Sequence, residues 1–368
     1  MTPDALFRLT RQLVDVESVT GGEGAVGELL DRHLGELAAR HGGTVERLPV
    51  AAGRFNLFAA WGEPAVVLST HMDTVPPFIP SSEDAEHIHG RGACDAKGAI
   101  AAMLAATEEL LAAGVRGFGV LFVVGEETDS AGADAANQTP RGARFLIDGE
   151  PTGNCLALGS KGMLYLAVET TGRAAHSAYP ELGDSAIDQL LAALGRLRQV
   201  ALPAAPPLGE TTLNIGTLAG GRAANVVADQ ARAEVMVRTV GDTTVLRRDL
   251  LAALPPARAA VVRETPAVRL RALPGFATCV VKFTTDIPRL SAWGEPLLLG
   301  PGSIHVAHTP AERVAKSELV AAAGLYAELV RRLRREIETG TGSGIETGTG
   351  TGSGIETADG MRGERAPS

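Results

Sequence analysis

Cysteine is scarce in this chain. Cys94, Cys155 and Cys279 are the three present, they are widely spaced, and no two form a C-x-x-C pair. That excludes a disulfide framework and a cysteine zinc site, so any bound metal has to be held by oxygen and imidazole. Long apolar runs are also missing. No stretch approaches the roughly 20 residues that cross a bilayer, and the first 13 residues lack a signal-peptide core, so a cytoplasmic protein is expected. Positive charge is in the minority, with 34 Lys+Arg against 43 Asp+Glu and a net charge of -9. This speaks against a nucleic-acid or anionic-membrane surface and for a small-molecule partner.

What is present reads as an ordinary globular chain, 45% hydrophobic and 21% charged over 368 residues, long enough to predict two domains. Leu6, Leu9, Leu13 and Val16 recur at helical spacing behind Thr2 and Pro3, which suit an N-cap and first turn. Apolar runs at 66–68, 120–124 and 145–147 read as strands buried on both faces, hence a mainly parallel sheet. Between them, residues 99–113 place Ile100, Met103, Leu104, Leu110 and Leu111 on one face ahead of Gly114, a crossover helix.

From Lys161 the pattern changes to strand, helix, strand, strand, helix, strand. This β-α-β-β-α-β order fits a small α+β unit inserted in the larger α/β domain. The expected division is therefore a catalytic domain at 1–160 and 266–338, an inserted lid and dimerisation domain at 161–265, and a tail from 339 to 368. The Gly/Thr/Ser repeats of the tail predict disorder. The helix that closes the catalytic domain ends in Arg331, Arg332, Arg334 and Arg335, which suit a solvated terminus favoured by the helix dipole.

Each predicted buried strand ends in residues expensive to place there: His71-Met72-Asp73, Glu126-Glu127, and Asp148-Gly149-Glu150. The carboxyl ends of parallel strands are where open α/β sheets put their ligands. Asp95, just ahead of the crossover helix, can reach the same rim. So many carboxylates would repel one another unless divalent cations neutralise them. Oxygen and imidazole donors suit zinc in a hydrolytic site, with cobalt or manganese also compatible, and two ions about 3.5–4 Å apart would account for the number of ligands.

STHMDTVPP, GRGACDAKGAIAAM, VVGEETDSAGA, LIDGEPT and GPGSIHVAHTPAE, in this order, resemble the successive motifs of a di-zinc hydrolase family. It contains acetylornithine deacetylase, succinyl-diaminopimelate desuccinylase, aminoacylase and glutamate carboxypeptidase, and the resemblance spans nearly everything before the tail. It implies that His71 and Glu150 bind one Zn2+, that Glu127 and His308 bind the other, and that Asp95 bridges them. It further implies that Glu126 is the general base, with Asp73 orienting His71.

Neighbouring residues leaving a strand point to opposite sides, which would turn Glu127 to metal and Glu126 to water. In the smaller unit, His176 matches a histidine that polarises the scissile carbonyl, across the subunit interface in dimeric members. Asn225, Arg238 and Gly302 match substrate-binding positions. His305 competes with His308 by spacing, but the AHTPAE segment favours His308, and a buried inert thiol is expected at Cys94. The expected function is removal of an N-acyl group from an amino acid, N-acetylornithine-like, by a homodimer. Desuccinylation, peptide-bond hydrolysis and a catalytically silent binding homologue are the alternatives.

Overall fold

The computed structural model describes residues 1–340; the predicted tail lies outside the described residues, apart from Thr339, which ends the last helix, and Gly340, which caps it. Two sheets organise the chain. The larger has six strands in the spatial order Thr44–Ala51, Arg54–Trp61, Phe118–Val123, Val66–His71, Phe145–Asp148, Glu295–Leu298. The last four are mutually parallel, and the first two form an antiparallel hairpin at one edge. The predicted parallel sheet is therefore present. The edge hairpin is an addition that the sequence reading did not identify.

Val66–His71 and Phe118–Val123 are buried along their whole length, which is why they read as continuous apolar runs instead of alternating ones. The first helix, Pro3–Val14, starts where expected, with the Thr2 hydroxyl accepting the Ala5 N–H at 3.3 Å and Pro3 in the first turn. The crossover helix, Lys97–Ala112, is buried on nearly every face because it lies under the closing helix, Lys316–Thr339. Gly98 lets the preceding loop turn tightly into the helix. A β-carbon there would meet the Ala93 carbonyl oxygen at 2.3 Å, directly after the segment that carries Asp95.

The second sheet has four antiparallel strands in the order Thr212–Gly220, Gln230–Thr239, Gly162–Thr171, Arg258–Thr265. Helices Ala186–Leu197 and Thr244–Ala252 contribute apolar side chains to its separate core. This is the predicted β-α-β-β-α-β order. Arg238, Met163 and Thr265 are cross-strand neighbours at one end of this sheet, the end that meets the carboxyl edge of the larger one.

Candidate metal centre

His71, Val123 and Asp148 are the last residues of three adjacent parallel strands, so their successors meet at one rim. Nε2 of His71 lies 3.1 Å from Oδ1 of Asp95, and Nε2 of His308 lies 3.2 Å from Oδ2 of the same carboxylate. His308 also stands 3.1 Å from Glu127, and Glu150 stands 3.8 Å from His71. One donor atom each from His71, Asp95 and Glu127 fits within 4.8 Å. The five expected ligands are thus brought together around Asp95, in a pattern two cations could share. His305 is not among them; it lines a neighbouring cavity.

Asp73 does more than the sequence reading assigned. The nearer partner of His71 Nδ1 is the Asp73 main-chain carbonyl, at 3.0 Å, with the carboxylate at 3.5 Å. Donation from Nδ1–H to that carbonyl would leave Nε2, once it has lost its proton, with its lone pair toward the centre. The Asp73 carboxylate accepts the backbone N–H groups of Gly125 at 3.0 Å, Glu126 at 3.1 Å and Glu127 at 3.2 Å, and the Thr20 hydroxyl at 2.7 Å. One buried carboxylate therefore shapes the turn that presents Glu126 and Glu127, the expected base and one of the expected ligands.

That turn corrects the expected strand alternation. The strand ends at Val123, and Glu126 and Glu127 follow a left-handed Gly125 at φ 84° in a tight turn closed by the Gly125 carbonyl. The Asp73 clamp, and not the strand pleat, sets the backbone from which the two side chains project, and both line the same cavity.

Electrostatically the site is overloaded with negative charge. Glu126 is raised well above the usual carboxylate range by burial, then by Asp286 and Glu127; Glu150 is raised by burial and by Asp95. Burial opposes charge on His71, but Asp73 and Asp95 overcome this and hold the imidazole well above its ordinary value. Hydrogen bonds to Asp95 and Glu127 lift His308 to about 10. Burial works against Asp95, yet His308 and His71 keep its carboxyl below the usual range. Protons on the imidazoles thus stand where cations would neutralise the same carboxylates, and the donor set fits divalent metal.

Three residues without an assigned role stand behind the site. Glu312 is buried, pairs with Arg91 at 2.5 Å, and accepts the N–H groups of Gly92 at 2.8 Å and Asp95 at 3.3 Å. It fastens the His308 loop to the Asp95 loop. Its signal was its place in the HTPAE motif. Asp148 is pushed up to about 7 by burial and by Asp286, and Asp286 up to about 6 by burial. Asp148 was visible at its strand end, whereas nothing in the sequence marked Asp286.

Above the centre is a cavity of about 230 Å³ lined by Asp95, Glu126, Glu127, Glu150 and His308 on one side and by Met163, Arg238 and Thr265 of the smaller sheet on the other. Nη1 of Arg238 is buried there without a hydrogen-bond partner among the described residues. Arg263 and Arg289 also line the cavity, but they are engaged by Ser130 and Asp134. His176 and Asn225 are exposed and do not line this cavity. They lie beside each other on the smaller unit, where Val226 bridges to His176 and Ser177 donates to the Asn225 carbonyl at 3.0 Å.

Gly302 stands behind the centre at φ 86°, where a β-carbon would meet Cys94 at 2.5 Å. Cys94 is buried, with its thiol pushed up by burial and by Glu312. Among the described residues no helix is long and apolar enough to cross a membrane.

Comparison with known proteins gives the family. Residues 67–332 match the model of peptidase family M20/M25/M40. A peptidase M20 domain-containing protein of Schizosaccharomyces pombe is 39% identical, over 89% of this chain and 84% of that one. A probable carboxypeptidase of Aspergillus fumigatus is 38% identical, over 89% and 86%. Among solved structures, a Staphylococcus aureus tripeptidase superposes with a TM-score of 0.76 at 22% identity, covering 91% of this chain and 99% of that one. A Bacillus subtilis protein described as a dinuclear metal binding peptidase gives 0.64 at 16%, covering 90% and 98%. The chain belongs to peptidase family M20/M25/M40 and is a hydrolase acting on amide bonds.

Proposed function

We propose that this hydrolase cuts the amide bond adjoining a carboxyl-terminal residue in short peptides, with two divalent ions. His71 and Glu150 would hold one, Glu127 and His308 the other, with Asp95 shared. The observation that carries the reading is the Asp95 carboxylate, with one oxygen 3.1 Å from His71 and the other 3.2 Å from His308. Zinc is the proposed metal, with cobalt or manganese as substitutes. The description of the B. subtilis neighbour as dinuclear supports two ions.

When bound, such ions supply a polarised carbonyl and a water acidic enough to lose its proton near neutral pH. The chain's own groups do the rest. Glu126 takes the proton of the attacking water and returns it to the leaving amine. In the metal-free chain, burial and neighbouring carboxylates raise its proton affinity, and the positive charge of bound ions would lower it toward the ionised form that a base requires. Asp73 holds the backbone from which Glu126 projects. Arg238 offers its unpartnered Nη1 to the substrate carboxylate, an interaction strengthened by charge on both sides.

We further propose that 161–265 acts as lid and dimer surface, and that His176 and Asn225, absent from their own chain's cavity, serve the partner's site in a homodimer. N-acyl amino acids present the same amide and the same carboxylate, so N-acetylornithine-like deacylation uses the same groups. The names of the fungal relatives favour peptides. The test is a panel of dipeptides, N-acetylornithine and N-succinyl-diaminopimelate with the zinc-loaded protein, with and without chelator. Chelator-sensitive cleavage of dipeptides is expected, and cleavage of the N-acyl compounds alone would replace the peptidase reading.

A further inference from the structure

Phe283 and Ile304 line the metal cavity and also a second cavity on their other side, of about 460 Å³. The two share a wall, yet their chemistry differs. The metal cavity presents carboxylates and guanidinium groups, whereas the second is lined mainly by carbon, from Pro151, Val280 and Val281 as well as the shared pair. Its basic residues, Lys282 and His305, are exposed to solvent. Both ends of the cavity lining are tied to proposed ligands, because Pro151 follows Glu150 directly and Ile304 lies on the loop that carries His308. A pocket of several hundred Å³ with apolar walls and a few polar groups has the size and character of a ligand subsite.

We infer that this second cavity receives the side chain on the acyl side of the scissile bond, and that the enzyme selects peptides whose acyl-donating residue is aliphatic or aromatic. The inference rests on the reading above, which sets the substrate carboxylate on Arg238. Arg238 lines the metal cavity and not the second one, so the acyl side of the substrate leaves the reacting bond past a different wall. Phe283 and Ile304 form that wall. An acetyl group is too short to fill the space beyond them, and a cationic side chain would lose hydration beside Lys282 and His305 without finding an opposite charge. A hydrophobic pocket separates side chains by on the order of tenfold or more for each methylene.

The experiment uses the full chain loaded with zinc and substrates that all end in alanine: Leu-Ala, Phe-Ala, Gly-Ala, Lys-Ala, and alanine N-acylated with acetyl or 4-methylpentanoyl. The last pair varies acyl length without an amino group. The expected kcat/KM for Leu-Ala and Phe-Ala is at least about tenfold above Gly-Ala, with Lys-Ala lower still, and 4-methylpentanoyl exceeds acetyl by a similar factor. Val280→Arg, which puts a cation on the apolar wall, is expected to bring the Leu-Ala to Gly-Ala ratio toward one. Cleavage with no apolar preference in the unmodified chain overturns the pocket and leaves the hydrolase reading standing. No cleavage of any member by zinc-loaded protein overturns both. The order of the unmodified chain decides the matter even where the variant fails to fold.

Discussion

Nε2 of His308 lies 3.2 Å from Oδ2 of Asp95, although one sits on a loop near the closing helix and the other just ahead of the crossover helix. Asp95 is already engaged by His71 through its other oxygen. A carboxylate whose two oxygens face two imidazoles is placed to join two cations, and it is the single residue on which both halves of the proposed centre depend. Asp95→Asn should therefore leave the protein with at most one ion and abolish hydrolysis. Metal analysis after gel filtration reads the first effect, and two retained ions would contradict the bridge.

Glu126 separates chemistry from metal binding. Glu126→Gln is expected to lower kcat on the order of 10²–10⁴-fold while the bound metal stays unchanged. Unaltered turnover would remove Glu126 from the role of base, and lost metal would make it a ligand.

Protons and metal compete for the same groups, which fixes a pH dependence. In the metal-free chain His71 and His308 are held above the ordinary imidazole value of about 6.5, His308 at about 10. A folded-state value above the unfolded one gives stability that is full below about pH 6.5 and fades as pH rises toward 10. Metal binding requires both imidazoles to be neutral, so zinc affinity should increase from about pH 6 to pH 8, with protons released. Calorimetric titration in buffers of different ionisation enthalpy measures that release. An affinity independent of pH would contradict the assignment.

Much of the fold was legible because its strands are buried on both faces: Val66–His71 and Phe118–Val123 could only be read as apolar runs in a covered sheet. The hairpin Thr44–Ala51 and Arg54–Trp61 was not legible. Its first strand is largely exposed and its second almost wholly buried, so the pair lacks a common pattern. At the site, the ligand candidates stood out because acids at strand ends are costly. The clamp of Asp73 on 125–127 and the pairing of Glu312 with Arg91 were hidden, because each joins segments far apart in the chain, the first through backbone N–H groups and the second through a guanidinium, and sequence displays neither contact.

Glu312 gives that hidden layer a test. Removing one partner of a buried ion pair costs about 3–5 kcal/mol, and Glu312→Ala also leaves the Gly92 and Asp95 N–H groups without their acceptor. The expected result, by chemical denaturation, is a stability loss of that order together with weaker zinc binding. Glu312→Gln, which keeps an acceptor oxygen, should recover part of the zinc affinity. Equal zinc affinity in all three proteins would leave Glu312 with a purely structural part.

Arg238 and His176 predict different kinetic signatures. Arg238→Ala should lower kcat/KM on the order of 10–100-fold for substrates with a free carboxylate, from the loss of a charged hydrogen bond of about 1.5–3 kcal/mol, and should not affect carboxyl-amidated analogues. His176→Ala and Glu126→Gln proteins, each inactive alone, should recover activity when unfolded together and refolded as mixed dimers, because the hybrid contains one complete site. No recovery would place His176 outside the partner's site.

The most direct test of the account is a titration of metal-stripped protein with zinc while dipeptide hydrolysis is followed. The account predicts two ions bound per chain, hydrolysis that is absent in the stripped protein, and full rate only once the second ion is in place. Full hydrolysis by thoroughly chelated protein, or by protein saturated with a single ion, would contradict it.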